Sequence, residues 1–333
     1  MIKHAHLIEI DALKKTVPRN AYDGKSDFRF WQEENRKILK NLLGVSCPAE
    51  DRKLTVEFTK EHDAFTEMRF VFQSEENEFV PCHLLVPKIK YEEKPPVMIC
   101  LQGHSTGMHI SLGRAIFDED VDTISNGNRD FALQCVEKGF CAVTLEQRCF
   151  GERGGYPHTD CHSASLTAML SGRTVLGGRV LDVSCLIDVL EQSFGNVCNA
   201  EKVYIMGNSG GGTTSFYAAA LELRIKAVMP SCAFCTFIDS IGSIRHCECN
   251  YVPGIAKYFD MAEIAGLIAP RPLVIVSGEK DNIFPIEFAK SEFSRLKKLY
   301  EASGEPEKCR HIIGPEGHRF YADLGWKAFF ELI

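Results

Sequence analysis

The sequence predicts an α/β protein with a mostly parallel central sheet, helices on both faces and an N-terminal helical and β-hairpin extension. Three observations carry that prediction. From Val97 onward, short apolar runs alternate with stretches of helical spacing, the pattern of a parallel sheet with covering helices. Between Lys53 and Pro87 a stretch of alternating apolar and polar residues is followed by two apolar segments around a turn, as in antiparallel hairpins. One apolar run, Val203 to Met206, breaks into glycines and resumes as helix from Thr213 to Leu221, which marks a sharp strand-to-helix turn.

Residues 1 to 50 read as an N-terminal helical arm packed on a main domain that spans residues 51 to 333. The arm's helix runs from Phe30 to Leu43, where Ile38, Leu39, Leu42 and Leu43 recur near helical spacing and Gly44 supplies a stop. Leu54, Val56 and Phe58 then alternate with polar residues. Met68 to Phe72 and Val80 to Val86 flank a turn at Glu75-Glu76-Asn77-Glu78. After Glu92-Glu93-Lys94-Pro95-Pro96 come a strand at Val97 to Leu101, a helix at Arg129 to Lys138, a strand at Phe140 to Leu145 and a helix at Gly178 to Gln192. The strand Lys202 to Met206 precedes the glycine-rich turn. Beyond it lie strands at Lys226 to Met229, Leu273 to Val276 and Cys309 to Ile313, with helices at Met261 to Leu267, Ile286 to Ala302 and Tyr321 to Ile333. No internal repeat or low-complexity segment interrupts them.

At 333 residues, with 45% apolar and 25% charged side chains, the chain has an ordinary globular composition and enough length for a large core. No run of eighteen apolar residues is present, and Met1 to His6 lacks the apolar segment and cleavage site of a signal peptide. Fourteen cysteines without such a signal suit a reducing compartment, where most act as small buried hydrophobes, so a cytoplasmic location is expected. A net charge of −7 without a basic tract argues against nucleic acid or an anionic membrane as partner. Homo-oligomerisation stays open.

Gly207-Asn208-Ser209-Gly210-Gly211 is the G-x-S-x-G pattern of a nucleophile elbow. A reactive serine has to stand clear of the backbone there, and side chains at the flanking glycine positions would collide. Ser209 is therefore the candidate nucleophile, although a capping serine in a glycine-rich turn would read the same locally. Its hydroxyl needs a base and the base needs an acid behind it. The strand Leu273 to Val276 runs into a polar loop that carries Asp281, the candidate acid, with Glu279 as rival. The last strand ends in Gly314-Pro315-Glu316-Gly317-His318, which makes His318 the candidate base. The order Ser, Asp, His on successive strand-end loops is that of an α/β-hydrolase fold. The oxyanion hole is assigned to the amides of Gly210 and His104, the latter on the loop after Val97 to Leu101. The His104 side chain either meets substrate or packs at its loop.

Together these residues resemble bacterial α/β-hydrolases of the acetyl xylan esterase and dienelactone hydrolase-like group. The resemblance covers roughly residues 30 to 333. It rests on the elbow Gly207 to Gly212, on Ala269-Pro270-Arg271-Pro272, on Gly317-His318 and on Leu176-Gly177-Gly178-Arg179-Val180-Leu181-Asp182-Val183. It implies the group's fold and a serine-dependent acyl transfer. Two departures separate the chain from the deacetylase branch: Gly210 follows the serine where glutamine is expected, and Glu146 to Arg153 stands where an Arg-Gly-Gln tripeptide is expected. Arg148 in that stretch either faces the site or forms a structural ion pair with Glu146 or Glu152, and the structural role is preferred.

Cys232, Cys235, Cys247 and Cys249, with His246, could hold zinc, but the Cys-x-Cys half is tighter than usual and buried thiols are the preferred reading. No metal and no cofactor is expected. The expected activity is a serine esterase that removes a short acyl group, acetyl above all, from a carbohydrate or other small molecule, through an acyl-enzyme. Residues Gly154 to Arg173 are the expected place of substrate selection. The alternatives are a prolyl-oligopeptidase-like serine peptidase, an acyltransferase and a non-catalytic binding protein of the same fold.

Overall fold

The computed structural model describes residues 4–89, 93–155 and 160–333. The expectations placed on Met1 to Lys3, on Glu92 and on residues 156–159 of the selection segment fall outside them. The chain begins with α1 (Ala5–Lys14), which composition did not single out, and α2 (Phe28–Leu43). α2 starts where the Asp27 carboxylate accepts the Phe30 amide at 2.8 Å and stops at Gly44, whose φ of 60° lies in the left-handed region. Its Phe28, Trp31, Leu39 and Leu43 enter the main core, whereas no residue of α1 is buried.

Three antiparallel strands follow: β1 (Thr55–Glu61), β2 (Phe65–Glu75) and β3 (Glu78–Pro87). They are not an appendage. β3 pairs antiparallel with β5 (Cys141–Leu145), which pairs parallel with β4 (Pro96–Leu101), so the hairpins form one edge of the central sheet. The parallel part continues through β6 (Asn199–Asn208), β7 (Ile225–Ser231), β8 (Leu273–Gly278) and β9 (Cys309–Gly314). Across the sheet the order is β1-β2-β3-β5-β4-β6-β7-β8-β9. The chain leaves β4 toward β5 on one side and returns to β6 on the other, which makes the β4/β6 boundary the switch point where ligand sites of open sheets form.

The remaining helices are α3 (Asp118–Ser125), α4 (Phe131–Glu137), α5 (Cys161–Leu170), α6 (Val175–Ser193), α7 (Gly210–Leu221), α8 (Met261–Gly266), α9 (Ile286–Ala302) and α10 (Ala322–Phe330). Strand alternation sorts them into two layers. On β4, Val97, Ile99 and Leu101 face the core shared with α2, α6, α7, α8 and α9, while Met98 and Cys100 face the core built by α4 and α10. Each layer buries apolar surface worth about 25 cal/mol per Å² removed from water, which is what holds the sheet rigid beneath its loops.

Two sequence motifs act through this packing. Arg271, after the cis Ala269-Pro270 bond, donates Nη1 to the carbonyls of Ile225 at 2.6 Å and Glu222 at 3.1 Å, so a cation closes the C-terminal end of α7. Gly178 leaves the space where a Cβ would come within 2.6 Å of the Arg148 guanidinium. Arg148 in turn binds the fully buried Asp182 at 2.8 and 3.0 Å and Glu75 at 2.6 Å. Its role is structural as expected, but its partners are these two acids. Glu152 pairs with Arg69, and Glu146 accepts the Met108 amide at 3.1 Å.

Candidate active site

Ser209 sits between the last residue of β6 and the first of α7, with φ 54° and ψ −122°. A non-glycine residue rarely adopts positive φ, and the surrounding contacts impose it. The Ser209 amide donates to Ser231 O at 2.8 Å, and the Ser209 carbonyl accepts the Thr213 amide at 2.8 Å as the first turn of α7 closes. Gly207 and Gly211 touch backbone at this crossing, so neither position has room for a Cβ: one on Gly207 would strike the Gly211 carbonyl. Helix α7 starts at Gly210, so the Gly210 amide lies at its positive end.

The loop after β4 lies directly against the nucleophile. A Cβ on Gly103 would come within 2.6 Å of Asn208 O and 2.8 Å of Ser209 Cβ, a close approach with no signature in the residues around Gly103. The loop's stem is clamped: Gln102 Nε2 donates to Ser111 Oγ and Arg129 O, each at 2.7 Å, Arg129 Nε donates to Gln102 Oε1 at 2.9 Å, and Gln147 donates to the Gln102 carbonyl. The His104 ring packs on Gly210, where a Cβ would meet Nδ1 at 3.1 Å, and on the Phe150 ring at 4.8 Å between centroids. Among the described residues neither the His104 nor the Gly210 amide has a hydrogen-bond acceptor.

Asp281 and His318 meet. His318 Nδ1 donates to Asp281 Oδ2 at 2.8 Å, and Asp281 Oδ1 accepts the amides of Ile283 at 2.9 Å and Phe284 at 3.1 Å. Burial works against the charged carboxylate, but the hydrogen bond and charge of His318 together with the two amides outweigh it and hold Asp281 below its usual value. The Phe284 ring lies 14° from parallel to the imidazole with centroids 6.0 Å apart, which fixes the plane of the ring. Glu279 takes no part in this bond.

Cys232 links the serine to this pair. Its neighbour Ser231 supplies the carbonyl that binds the Ser209 amide, and its own sulfur lies within 4.8 Å of ligand atoms of both Asp281 and His318. The residue has φ 48°, and its amide bonds Val276 O at 2.8 Å. Thus the loops after β6, β8 and β9 carry the three candidate triad residues to one end of the sheet, and β7 lies between the serine's strand and the other two.

The cysteine pairs read from the sequence are not one cluster. Cys235 faces Pro285 O and the Met261 sulfur, and His246 bonds Ser240 Oγ at 3.0 Å and Ile283 O at 3.3 Å, with burial pulling it down to about 4. Cys247 and Cys249 instead approach His104 and Cys161, the first residue of α5. Cys161 belongs to the segment in which substrate selection was expected.

No family model matches the chain. Among curated proteins it is 27% identical over 291 residues to the "Putative hydrolase YtaP" of Bacillus subtilis (strain 168), covering 86% of this chain and 93% of that protein. Among solved structures it is similar to a "putative acetyl xylan esterase" from Bacteroides fragilis NCTC 9343, at TM-score 0.77 and 17% identity over 94% of this chain and 83% of the other. It is similar as well to a glucuronoyl esterase from Solibacter usitatus, at TM-score 0.69 and 13% identity over 96% and 98% of the two chains. An acetyl xylan esterase from Paenibacillus sp. R4 aligns at TM-score 0.61 and 16% identity over 96% and 97%. Sheet order, elbow and these neighbours agree: the chain has the α/β-hydrolase fold.

Proposed function

We propose that this chain is a serine esterase that hydrolyses a short acyl ester, acetyl above all, on a carbohydrate or other small molecule. The observation that carries the reading is the 2.8 Å bond between Asp281 and His318 at the same sheet end as a serine held at φ 54°. In this reading Ser209 attacks the ester carbonyl, and His318 Nε2 takes its proton because Nδ1–H is committed to Asp281. The amides of His104 and Gly210 bind the developing oxyanion, each worth about 3 kcal/mol of transition-state stabilisation. His318 then returns its proton to the leaving alcohol, and water activated by the same imidazole hydrolyses the acyl-enzyme. The preference for a small acyl group is supported by the His104 and Phe150 rings packed beside Gly210, which limit the space next to the nucleophile. A carbohydrate alcohol is supported by the structural neighbours, which are described as acetyl xylan and glucuronoyl esterases.

A cytoplasmic setting belongs to the same proposal. It is supported by fourteen free cysteines, thirteen of them buried or half-buried, which suit a reducing compartment. No helix among the described residues is long and apolar enough to cross a membrane.

The test compares wild type with Ser209→Ala on p-nitrophenyl acetate, butyrate and octanoate and on a chromogenic dipeptide amide. Acetate turnover that falls on the order of 10⁴-fold or more in the variant is the expected result. Faster octanoate than acetate turnover would overturn the short-acyl preference, and amide cleavage without ester cleavage would establish the peptidase alternative. Absence of any turnover in wild type would favour a binding protein.

A further inference from the structure

Beside the candidate oxyanion loop, four side chains from three separate segments converge without a role in acyl transfer. His104 comes from the loop after β4, Cys161 opens α5, and Cys247 and Cys249 flank Glu248 in the loop after β7. One ligand atom of each lies within 4.8 Å of all the others. His104 Nε2 stands 3.3 Å from Cys249 Sγ and 3.8 Å from Cys161 Sγ. We propose that these four residues form a closed Cys₃His site for one zinc ion that ties the oxyanion loop to α5 and to the loop after β7.

Geometry supports zinc directly. Ligands at about 2.05 Å (nitrogen) and 2.3 Å (sulfur) on tetrahedral angles place nitrogen and sulfur about 3.6 Å apart and two sulfurs about 3.8 Å apart. The His104 Nε2–Sγ distances to Cys249 and Cys161, 3.3 and 3.8 Å, bracket the first value. All fourteen cysteines are free thiols, so no disulfide accounts for the convergence.

Charge supports it independently. Arg179 is 1% exposed, and among the described residues no carboxylate lies within ion-pair distance of it. Its Nη1 points at Cys249 Sγ at 3.3 Å and its Nη2 at Cys161 Sγ at 3.5 Å, while Nη2 also donates to Arg148 O at 2.8 Å and the guanidinium lies 4.3 Å from the centroid of the Phe150 ring. A buried guanidinium requires a buried anion. Three thiolates on a divalent ion carry one net negative charge, which Arg179 neutralises. Donation of N–H groups to ligating sulfurs is also what outer-shell partners of a thiolate site supply.

With four protein ligands the ion has no open position, so it acts as a structural tie rather than a source of activated water. Its position gives the tie a purpose. Through His104 it would hold the ring against Gly210, and thereby the backbone amide that the hydrolase reading assigns to the oxyanion. The set that the sequence offered as able to hold zinc, while buried thiols were preferred, shares only Cys247 and Cys249 with this one, because Cys232, Cys235 and His246 lie elsewhere.

The experiment uses the full chain purified with a phosphine reductant. Metal analysis after incubation with zinc alone and desalting should give one zinc per chain. Replacement by Co²⁺ should give visible bands of tetrahedral intensity and near-ultraviolet thiolate charge transfer. Cys249→Ser and Cys161→Ser should lose zinc, while Cys235→Ser keeps it. The cobalt spectrum is read on wild type, so a variant that fails to fold does not decide the matter. Wild type that retains no zinc and gives no tetrahedral cobalt spectrum overturns the site, as does Cys249→Ser with an unchanged spectrum. These readouts need no turnover, so the site and the esterase reading stand or fall separately.

Discussion

Replacing Asp281 by asparagine tests the proposed base in its sharpest form, because the local hydrogen bonds dictate how the new side chain must sit. Oδ1 of Asp281 accepts two backbone amides at 2.9 and 3.1 Å, and an asparagine amide oxygen keeps both bonds only in that same position. Its NH₂ group then faces His318 Nδ1, 2.8 Å away, where the carboxylate oxygen stood. Two donors cannot share that bond, so Nδ1 becomes the acceptor and the imidazole proton moves to Nε2. The nitrogen that must take the Ser209 proton is then already protonated. A wrong tautomer of this kind costs about 10⁴ in kcat, or about 5.5 kcal/mol of barrier. The assay is acetate ester hydrolysis with the melting temperature measured in parallel. Turnover within tenfold of wild type in a normally folded Asp281→Asn variant would refute the assignment. The substitution also carries a pH signature. The folded carboxylate is held below its usual value, so its stabilisation is complete above about pH 4 and is lost as the pH falls through the lowered value. Asp281→Asn should flatten the acid limb of wild-type stability.

Gly103→Ala would drive a methyl group to 2.6 Å from Asn208 O and 2.8 Å from Ser209 Cβ, and backbone has to move to admit it. A shift of about 1 Å at the nucleophile should lower kcat/KM on the order of 100-fold in a protein that still melts cooperatively. Arg148→Met leaves Asp182, among the described residues, with Arg153 and Ser74 as its remaining side-chain partners in a fully buried setting, so urea unfolding should report a loss of about 3 kcal/mol. A matching Asp182→Asn change should recover part of it. Glu146 is pushed up to about 7 by burial, against which the amides of Met108 and Glu152 pull. A carboxyl with a raised folded value favours its protonated form, so wild-type stability should fall as the pH rises from about 4.5 through 7. Glu146→Gln should remove that slope in a pH series of thermal melts.

What was legible in the sequence is what depends on neighbours along the chain. The unbroken apolar run Val97 to Leu101 declares a strand buried on both faces, helical spacing in α2 declares which face seeks a core, and the glycines around Ser209 declare a backbone crossing, because these are properties of a few consecutive residues. Ser209, Asp281 and His318 were found as strand-end residues by the same local reading, helped by their order. Other features have no local signature. Nothing near Arg148 names Asp182 or Glu75 as its partners, and Glu146 and Glu152, adjacent in sequence, are claimed by other groups. Nothing in Cys161 foretells His104, 57 positions earlier, or Cys249, 88 positions later, and of the two close cysteine pairs in the sequence only Cys247 and Cys249 join the converging set. The sequence by itself determined the layers, the elbow and the candidate catalytic residues, since backbone geometry and apolar periodicity are encoded over a turn or a strand. Only the tertiary structure decided which buried charges and thiols meet, because a loop closed over a hundred residues costs little more than one closed over fifty, and packing of the sheet and its helices, not spacing, selects among them.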